Sequence, residues 1–169
     1  MKKIAAVALL SAFIAAPVAA QDMYVGVNVG SAEIDVTGMD SSTAFSVLGG
    51  YTINSNFAAE VAYINFGSVD VAPGVTVKSN ALSVSAVGSY PINDMFSLIG
   101  KLGVASTTFK VSAPPPISSS ESETGVTFGV GGQFNFDKQI GMRAGYDIYK
   151  VGTNSDNENV MSIGGVFYF

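Results

Sequence analysis

The sequence contains no cysteine, no histidine and no tryptophan, and only 12% of its 169 residues are charged. Without cysteine the chain forms no disulfide and carries no lipoprotein anchor, which is attached to a cysteine. Without histidine it lacks the commonest general base and metal ligand near neutral pH. These absences argue against disulfide-stabilised secreted folds and against most hydrolytic or metal-dependent chemistry.

After residue 20 the sequence also lacks any apolar run of about 18 residues, which a transmembrane helix needs. The N-terminus has Lys2 and Lys3, an apolar stretch over 4–16, and then Pro17 followed by small residues up to Ala20. This pattern predicts a secretory signal peptide over 1–20, cleaved after Ala20. The alternative, a membrane-anchoring helix, is disfavoured because the run is short and ends at Pro17.

Basic residues are scarce. Cleavage would remove two lysines and leave six basic against 13 acidic residues, a net charge of −7. Nucleic acid and anionic membrane surfaces are therefore not expected partners. An exported, apolar chain without a helical span is instead typical of a membrane β-barrel, whose alternating strands escape a search for helix-length apolar runs.

Strict alternation is the main pattern that is present, and it is clearest over 159–169. Period-two alternation predicts a strand, since successive side chains of a strand point to opposite sides. One face of this segment would carry Met161, Ile163, Gly165, Phe167 and Phe169. Similar alternation predicts seven earlier strands, over 23–33, 43–53, 57–66, 80–91, 95–111, 123–136 and 139–151.

The connections between these strands alternate between long and short. Short polar turns are predicted at 54–56, 92–94 and 137–138, and longer loops at 34–42, 67–78, 112–122 and 152–158. This plan predicts an all-β fold, an eight-stranded antiparallel up-and-down transmembrane β-barrel over 21–169, preceded by the cleaved signal peptide. A lipocalin-like barrel is disfavoured because the predicted inner face is polar and the outer face apolar.

Aromatic residues are expected to form two belts where the barrel meets the lipid headgroups. The belt near the short turns would comprise Tyr51, Phe57, Tyr90, Phe96, Phe134, Phe136, Phe167 and Phe169. The belt near the long loops would comprise Phe45, Tyr63, Phe66, Phe109, Tyr146 and Tyr149.

Four charged residues fall in mid-strand on the polar face: Glu60, Lys101, Arg143 and Asp147. A Lys or Arg facing lipid would cost about 2–4 kcal/mol at mid-bilayer, so these side chains are expected in the lumen. We expect Glu60 to pair with Arg143 or Lys101 and close the barrel, with Gln133 and Asn28 able to join. The alternative is a gate, in which partner exchange opens a narrow pore. Acid–base catalysis is disfavoured because no histidine or nucleophile accompanies the carboxylates.

Three segments carry a family resemblance: Ala59-Glu60-Val61-Ala62-Tyr63 with Phe66-Gly67, Arg143-Ala144-Gly145-Tyr146, and the terminal Val166-Phe167-Tyr168-Phe169. With the strand plan, they resemble the OmpA/OmpX-type small outer-membrane barrels of Gram-negative bacteria. The resemblance implies outer-membrane location, and recognition of the last strand, with Phe167 and Phe169, by the barrel-assembly machinery. Because the chain stops at Phe169, the peptidoglycan-binding domain of full-length OmpA-like proteins is not expected. Related barrels that deacylate lipid A use a histidine, which is missing here.

Acidic residues dominate the predicted loops: Glu33, Asp35, Asp40, Asp70, Glu121, Glu123, Asp156 and Glu158. They either form a solvated, repulsive surface or make contacts, through divalent cations to lipopolysaccharide phosphates or directly to a host protein. Asp156-Asn157-Glu158 lacks the spacing of an EF-hand loop.

The expected function is therefore structural, in envelope integrity, with loops available for interaction or adhesion; the alternative is a small gated pore. No enzyme activity, cofactor or metal is expected. The expected partners are outer-membrane lipid, lipopolysaccharide, the barrel-assembly machinery and host or surface proteins, but not nucleic acid. A monomer is expected because a closed barrel has no free edge.

Overall fold

The computed structural model describes residues 22–34, 42–72, 75–113, 117–151 and 156–169. The predicted signal peptide, most of the predicted 34–42 loop, and Pro114–Pro116 lie outside the described residues. No helix in the described part of the chain is long and apolar enough to cross a membrane.

Eight strands form one closed barrel in which every strand pairs with its neighbours in the chain. All pairings are antiparallel, and β1 closes the ring with β8, from Tyr24 opposite Tyr168 to Ile34 opposite Glu158. The strands are β1 (Met23–Ile34), β2 (Ser42–Asn54), β3 (Phe57–Ala72), β4 (Val75–Pro91), β5 (Phe96–Ala113), β6 (Ile117–Asn135), β7 (Ile140–Val151) and β8 (Asp156–Tyr168). The all-β barrel prediction is confirmed.

The side chains alternate between a lumen and an outer wall, as the sequence predicts. On β8, Met161 and Ile163 are exposed on the wall, whereas Val160 and Val166 are buried in the lumen. The same division runs around the barrel, where large apolar side chains stay exposed on the outside of every strand. In water such a surface would aggregate, but in a bilayer it is the face that contacts lipid.

Three short turns connect the strands at one end of the barrel, and each is stabilised by one side chain. Oδ1 of Asn54 accepts hydrogen bonds from the backbone N–H groups two and three residues later, both at 2.9 Å. Asn93 and Asp137 do the same for the next two turns. Asn and Asp favour such turns because their short side chains can replace a backbone acceptor. These turns were predicted correctly.

At the other end the predictions of long loops over 67–78 and 112–122 are wrong, because most of these residues are in strands. β3 and β4 pair as far as Ala72 opposite Val75, and β5 and β6 as far as Ala113 opposite Ile117. Val69, Val71, Val75 and Val77 continue a strand-like alternation on both sides of Pro73-Gly74. The fourth loop is also shorter than predicted, since β8 begins at Asp156.

The four long strands rise beyond the closed part of the barrel. The outermost β2–β3 pair is Phe45 opposite Asn65, and the outermost β6–β7 pair is Thr127 opposite Tyr149. Beyond these pairs, segments 68–72, 75–78, 108–113 and 117–126 continue as a four-stranded sheet, here called the sheet extension. In outer-membrane barrels the short turns face the periplasm, so the family resemblance implies that the sheet extension faces the cell exterior.

Candidate functional site: the closed lumen

Glu60 is the centre of a polar network in the half of the lumen nearer the short turns. Its Oε1 lies 3.2 Å from Nζ of Lys101, and its Oε2 lies 2.6 Å from Nη1 of Arg143. Tyr24 donates its hydroxyl hydrogen to Oε2 of Glu60 at 3.0 Å. Only 3% of Glu60 and 6% of Arg143 are exposed. A carboxylate this deeply buried is tolerable because two cations and a hydroxyl compensate it.

Arg143 extends the network to two further strands. Its Nε and Nη2 donate to Oε1 of Gln133 at 3.2 and 3.0 Å. Nε2 of Gln133 in turn donates to the hydroxyl of Tyr168 at 2.7 Å. The guanidinium also lies over the ring of Tyr24, 5.5 Å from its centroid, which adds a cation–π contact. Arg143 is thereby held in one orientation across the lumen.

Lys101 links a second carboxylate to the same network, since its Nζ lies 3.6 Å from Oδ1 of Asp147. A cavity of about 10 Å³ adjoins Lys101, Arg143 and Asp147, which is at the lower limit for one water molecule. The structure thus brings the four charged residues proposed from sequence into one connected group. We name this group, with Tyr24, Gln133 and Tyr168, the charge layer.

Asn28 does not join the charge layer; its amide donates to Ser46 at 3.0 Å. Tyr24 and Tyr168 were not singled out from the sequence. A usable signal was present, because Tyr24 shares a face of β1 with Asn28, and Tyr168 shares a face of β8 with Ser162. Strand parity therefore places both hydroxyls in the lumen, within reach of the charges.

Two glycines make room for the charge layer. A Cβ atom at Gly50 would overlap the ring of Tyr24, and one at Gly129 would overlap Oδ1 of Asp147. By contrast, a Cβ at Gly49, which faces the lipid, would meet no atom within 4 Å. Glycine at 50 and 129 thus allows larger side chains to fold over the neighbouring strand.

The other half of the lumen is closed mainly by the apolar side chains of Ile64, Phe66, Ala81 and Tyr149, which together with Thr107 and Glu158 we name the outer plug. The rings of Phe66 and Tyr149 pack edge to face with centroids 5.4 Å apart. The prediction that these two residues belong to a lipid-facing aromatic belt is therefore wrong. The predicted polar inner face is found in the charge layer, whereas the outer plug is mainly apolar.

Glu158 is also misplaced by the loop prediction, because it lies in β8 and only 2% of it is exposed. Ser79 donates its hydroxyl hydrogen to Oε1 of Glu158 at 2.9 Å. Oε2 has no hydrogen-bond partner among the described residues. Glu158 is thus a lumen carboxyl group that differs from Glu60 in having no cation beside it among those residues.

The three main contacts across the lumen all join strands that are four apart in the ring of eight. Glu60–Arg143 and Phe66–Tyr149 connect β3 to β7, and Ser79–Glu158 connects β4 to β8. Strands four apart lie on opposite sides of the barrel, so each contact crosses its full diameter. An eight-stranded barrel is just narrow enough for this, since side chains fill its interior.

Between the charge layer and the short turns lies a cavity of about 510 Å³, the vestibule. Its innermost lining residues are Tyr24, Gln133, Arg143 and Tyr168, and its mouth is formed by residues of all three short turns. The charge layer therefore ends this cavity on the inside, and the outer plug lies beyond it.

Phe167 and Phe169, the proposed assembly signal, lie at the short-turn end on the outer wall. Both rings are partly exposed and pack edge to face, 5.4 Å between centroids. The backbone N–H of Phe169 donates to the carbonyl of Met23 at 3.0 Å. The two rings are therefore accessible from the membrane side of the barrel.

Of the predicted loop acids, Glu123 has an exposed side chain in the sheet extension. Asp35 and Asp40 lie outside the described residues, and the side chains of Glu33, Asp70, Glu121 and Asp156 lie outside the described part as well. In the part of the chain that the structure describes, no three His, Cys, Asp or Glu side chains are close enough to hold a metal ion.

Comparison with known proteins agrees with the fold. The profile of the outer membrane protein β-barrel domain family matches residues 5–169. A search of curated protein sequences finds no significant match.

Among solved structures, Neisserial surface protein A (NspA) superposes with a TM-score of 0.74 at 18% identity, over 87% of this chain and 97% of NspA. Ail of Yersinia pestis gives 0.66 at 19% identity, over 88% and 99%. The N-terminal barrel of Pseudomonas aeruginosa OprF gives 0.66 at 15% identity, over 86% and 97%. At these identities the similarity shows the fold alone. The family match covers nearly the whole chain, and the chain belongs to the outer membrane protein β-barrel domain family, as an OmpA/OmpX-type barrel of the Gram-negative outer membrane.

Proposed function

We propose that this protein is a closed, non-conducting barrel that supports the outer membrane and holds the sheet extension at the cell surface for contact with other macromolecules. The observation that carries the proposal is the double closure of the lumen. The charge layer and the outer plug each cross the full diameter, and they lie one above the other. A solute would have to displace both.

A small gated pore is the second candidate, and one observation favours it. Lys101 lies between Glu60 and Asp147, so the charged groups have alternative partners, and an exchange could loosen the charge layer. Such an exchange leaves Phe66, Tyr149 and Ile64 in place. For this reason we rank the pore below the closed barrel.

The sheet extension supports a contact function. Ail, which shares the fold, has been crystallised with the heparin analogue sucrose octasulfate, at 21% identity to this chain. This chain carries a net charge of −5 and, after the predicted cleavage, −7, so a polyanion of that kind would be repelled. We propose partners with basic surfaces instead, or lipopolysaccharide phosphates bridged through divalent cations.

The proposal also covers how the barrel is assembled and whether it catalyses a reaction. The exposed Phe167 and Phe169 are proposed to be recognised by the barrel-assembly machinery. A non-catalytic role is proposed because the carboxyl groups of the lumen are engaged with Lys101, Arg143 and Ser79, and the sequence has no histidine to act as a base.

The test of the closed barrel is single-channel conductance of the folded 21–169 chain in a planar bilayer, with insertion verified independently by protease protection of the barrel. We expect no openings. A control variant, with Glu60, Phe66, Arg143 and Tyr149 all changed to alanine, should conduct if it folds, and shows that the assay detects an opened lumen. Steady openings of the unmodified protein would overturn the proposal in favour of the pore.

The contact function is tested separately in cells. A variant in which 68–77 and 109–123 are replaced by short turns keeps the closed part of the barrel. It should preserve resistance to detergents, which reports envelope integrity, and lose attachment to surfaces or cells that the unmodified protein supports. If cells with the trimmed variant attach as well as cells with the unmodified protein, the sheet extension does not make the contacts.

A further inference from the structure

The vestibule is a cavity for which the closed barrel and its surface contacts have no use. Its volume of about 510 Å³ falls within the range of small-molecule sites, about 300–1,000 Å³. The charge layer ends it on the inside, so a molecule that enters between the short turns meets Arg143, Gln133 and Tyr168. The vestibule is therefore a blind pocket, open on the side that the family resemblance assigns to the periplasm.

The inner end of the vestibule has hydrogen-bond donors to spare. The hydroxyl of Tyr168 accepts a hydrogen bond from Gln133, and its own hydrogen has no acceptor among the described residues. Arg143 uses three of its five N–H groups on acceptors among those residues, two toward Gln133 and one toward Glu60. Arg143 and Gln133 are more than nine-tenths buried, so these donors are held in place. A ligand that fits here must offer acceptor oxygens.

The mouth of the vestibule offers acceptors instead. The carboxylates of Asp94 and Asp137 line it, and Asp137 uses only Oδ1 to stabilise its turn. The rest of the wall carries side-chain hydroxyls, which both donate and accept: Thr52, Ser55, Ser89 and Ser97. A fitting ligand accepts hydrogen bonds at its inner end and donates them at its outer end, and a molecule rich in hydroxyl groups does both.

Charge disfavours an ionic ligand. The charged residues of the lining are Lys138 and Arg143 on one side of the balance and Asp94 and Asp137 on the other, so their formal charges cancel. Arg143 is already paired with Glu60 at 2.6 Å, and an anion would have to compete with this carboxylate. Burying an ion without a free counter-charge is costly. An uncharged ligand avoids that cost.

Two tyrosine rings at the inner end favour a ring-shaped ligand. Tyr24 and Tyr168 both line the vestibule, and their rings pack with centroids 5.2 Å apart and planes tilted by 41°. An aromatic ring with a hydroxyl at its tip presents an apolar face next to a polar group. A sugar ring has the complementary surface, since its C–H groups form an apolar face and its hydroxyls project from the edge.

We propose that the vestibule is a binding site for an uncharged saccharide, a mono- or disaccharide unit that enters from the periplasmic side. The sugar packs against the ring of Tyr168 and accepts hydrogen bonds from its hydroxyl and from Arg143. Its outer hydroxyls donate to Asp94 and Asp137. This site goes beyond the proposed function, since it lies at the end of the barrel opposite the sheet extension.

The probes are four uncharged disaccharides, maltose, lactose, cellobiose and trehalose, each added to the folded barrel in lipid nanodiscs. Saturation-transfer NMR detects binding, and isothermal titration measures the dissociation constant. We expect at least one disaccharide to bind with a Kd of about 1 mM or lower. If none of them binds at about 10 mM, the proposal is wrong.

Two derivatives of the disaccharide that binds test its charge and its length. The 1-phosphate has the same rings with added negative charge, and it should bind at least about tenfold more weakly. Equal or tighter binding of the phosphate would contradict a site for uncharged sugars. A longer oligomer of the same sugar distinguishes the two sources of this ligand. Equal affinity assigns the site to the ends of glycan chains, and weaker binding assigns it to free sugars.

A matched pair of variants locates the site. Ser97→Phe and Ser106→Phe introduce the same ring at two positions of β5. Ser97 lines the vestibule, whereas Ser106 is exposed on the outer wall in the other half of the barrel. Ser97→Phe should fill the vestibule and weaken saccharide binding at least about tenfold, and Ser106→Phe should leave it unchanged. Gel mobility verifies that each variant is folded.

A second pair removes one hydroxyl and keeps the shape. Tyr168→Phe should weaken binding by about two- to tenfold, as loss of one hydrogen bond implies. Tyr146→Phe, on the outer wall, is its control and should bind as the unmodified barrel does. Full binding by both Ser97→Phe and Tyr168→Phe would place the sugar outside the vestibule and overturn the proposal. Conductance and cell attachment decide the proposed function separately, because neither depends on the vestibule.

Discussion

The two halves of the lumen reach the same result, a closed barrel, with opposite chemistry. In the charge layer each carboxylate lies beside a cation, and Glu60 also accepts a hydrogen bond from Tyr24. In the outer plug an aromatic pair fills the space, and the single carboxyl group, Glu158, has a hydroxyl as its one partner among the described residues. In the charge layer every buried charge needs a partner of opposite charge. In the outer plug the side chains need only fit together and fill the space.

This difference predicts different responses to mutation. A buried ion network fails when one member is removed, since the remaining charges are left uncompensated in a site of low dielectric. An apolar plug loses contacts in proportion to the volume removed. The two halves should also act independently, because Glu60 and Phe66 are six residues apart on β3, about 20 Å along the strand.

The largest effect is expected for Glu60→Ala, which leaves Lys101 and Arg143 without their shared partner. We expect the free energy of unfolding to fall by about 3–5 kcal/mol, the usual cost of breaking a buried ion pair. Urea unfolding from lipid vesicles, followed by gel mobility of the folded form, measures it. Glu123→Ala is the control, since Glu123 is exposed and its loss should change little. An unchanged midpoint for Glu60→Ala would mean that the charge layer does not stabilise the barrel.

Phe66→Ala should lower the free energy of unfolding by about 3 kcal/mol, because burial is lost and a cavity is left against Tyr149. The same urea unfolding experiment measures it.

The double variant Glu60→Ala/Phe66→Ala tests whether the two halves act independently. Its loss in free energy of unfolding should equal the sum of the two single losses within about 0.5 kcal/mol, as expected for distant sites. Neither single variant should conduct in a planar bilayer, because the other half stays closed. Steady openings of either one alone would show that a single layer seals the barrel.

Gly50→Ala tests how tightly the charge layer is packed. The added methyl group would overlap the ring of Tyr24, displace its hydroxyl from Glu60 and cost about 1–3 kcal/mol, as overpacking usually does. Gly49→Ala is the matched control, because the same methyl group would point into open space on the lipid side. Equal stability of the two variants would show that Tyr24 moves aside freely.

Much of this arrangement follows from period-two alternation alone. The alternation identified the eight strands and their two faces, and it placed Glu60, Lys101, Arg143 and Asp147 on the inner face. The reason is physical, since a strand has only two faces and lipid excludes charge from one of them. The sequence left open whether Glu60 pairs with Arg143 or with Lys101, and in the structure it contacts both. Which cations a carboxylate reaches depends on register and tilt around the closed ring, which the sequence does not give.

The errors arose where another rule was preferred to alternation. Phe66 shares the face of Glu60, and Tyr149 shares the face of Arg143 and Asp147, so parity places both rings in the lumen. The expectation of an aromatic belt assigned them to lipid instead. Glu158 likewise shares the face of Val160, but the Asn- and Asp-rich sequence before it suggested a loop. The sequence analysis also made the four strands from β3 through β6 too short, because Pro73-Gly74 and three consecutive prolines were taken to end them early.

The smallest expected effect is an increase in the free energy of unfolding, whereas Glu60→Ala lowers it. It tests most directly whether the two halves of the lumen close by different chemistry. Glu158→Gln keeps the shape of the side chain and its contact with Ser79, but removes a buried carboxyl group that has no cation beside it among the described residues. Because burying a charge without a counter-charge costs more than burying a neutral amide, this variant should unfold at higher urea concentration, its free energy of unfolding being larger by about 1 kcal/mol. Glu60→Gln, measured in parallel, should unfold at lower urea concentration, since Lys101 and Arg143 lose their counter-charge. If both substitutions destabilise the barrel, Glu158 is compensated as well as Glu60, and the two halves of the lumen close by the same chemistry.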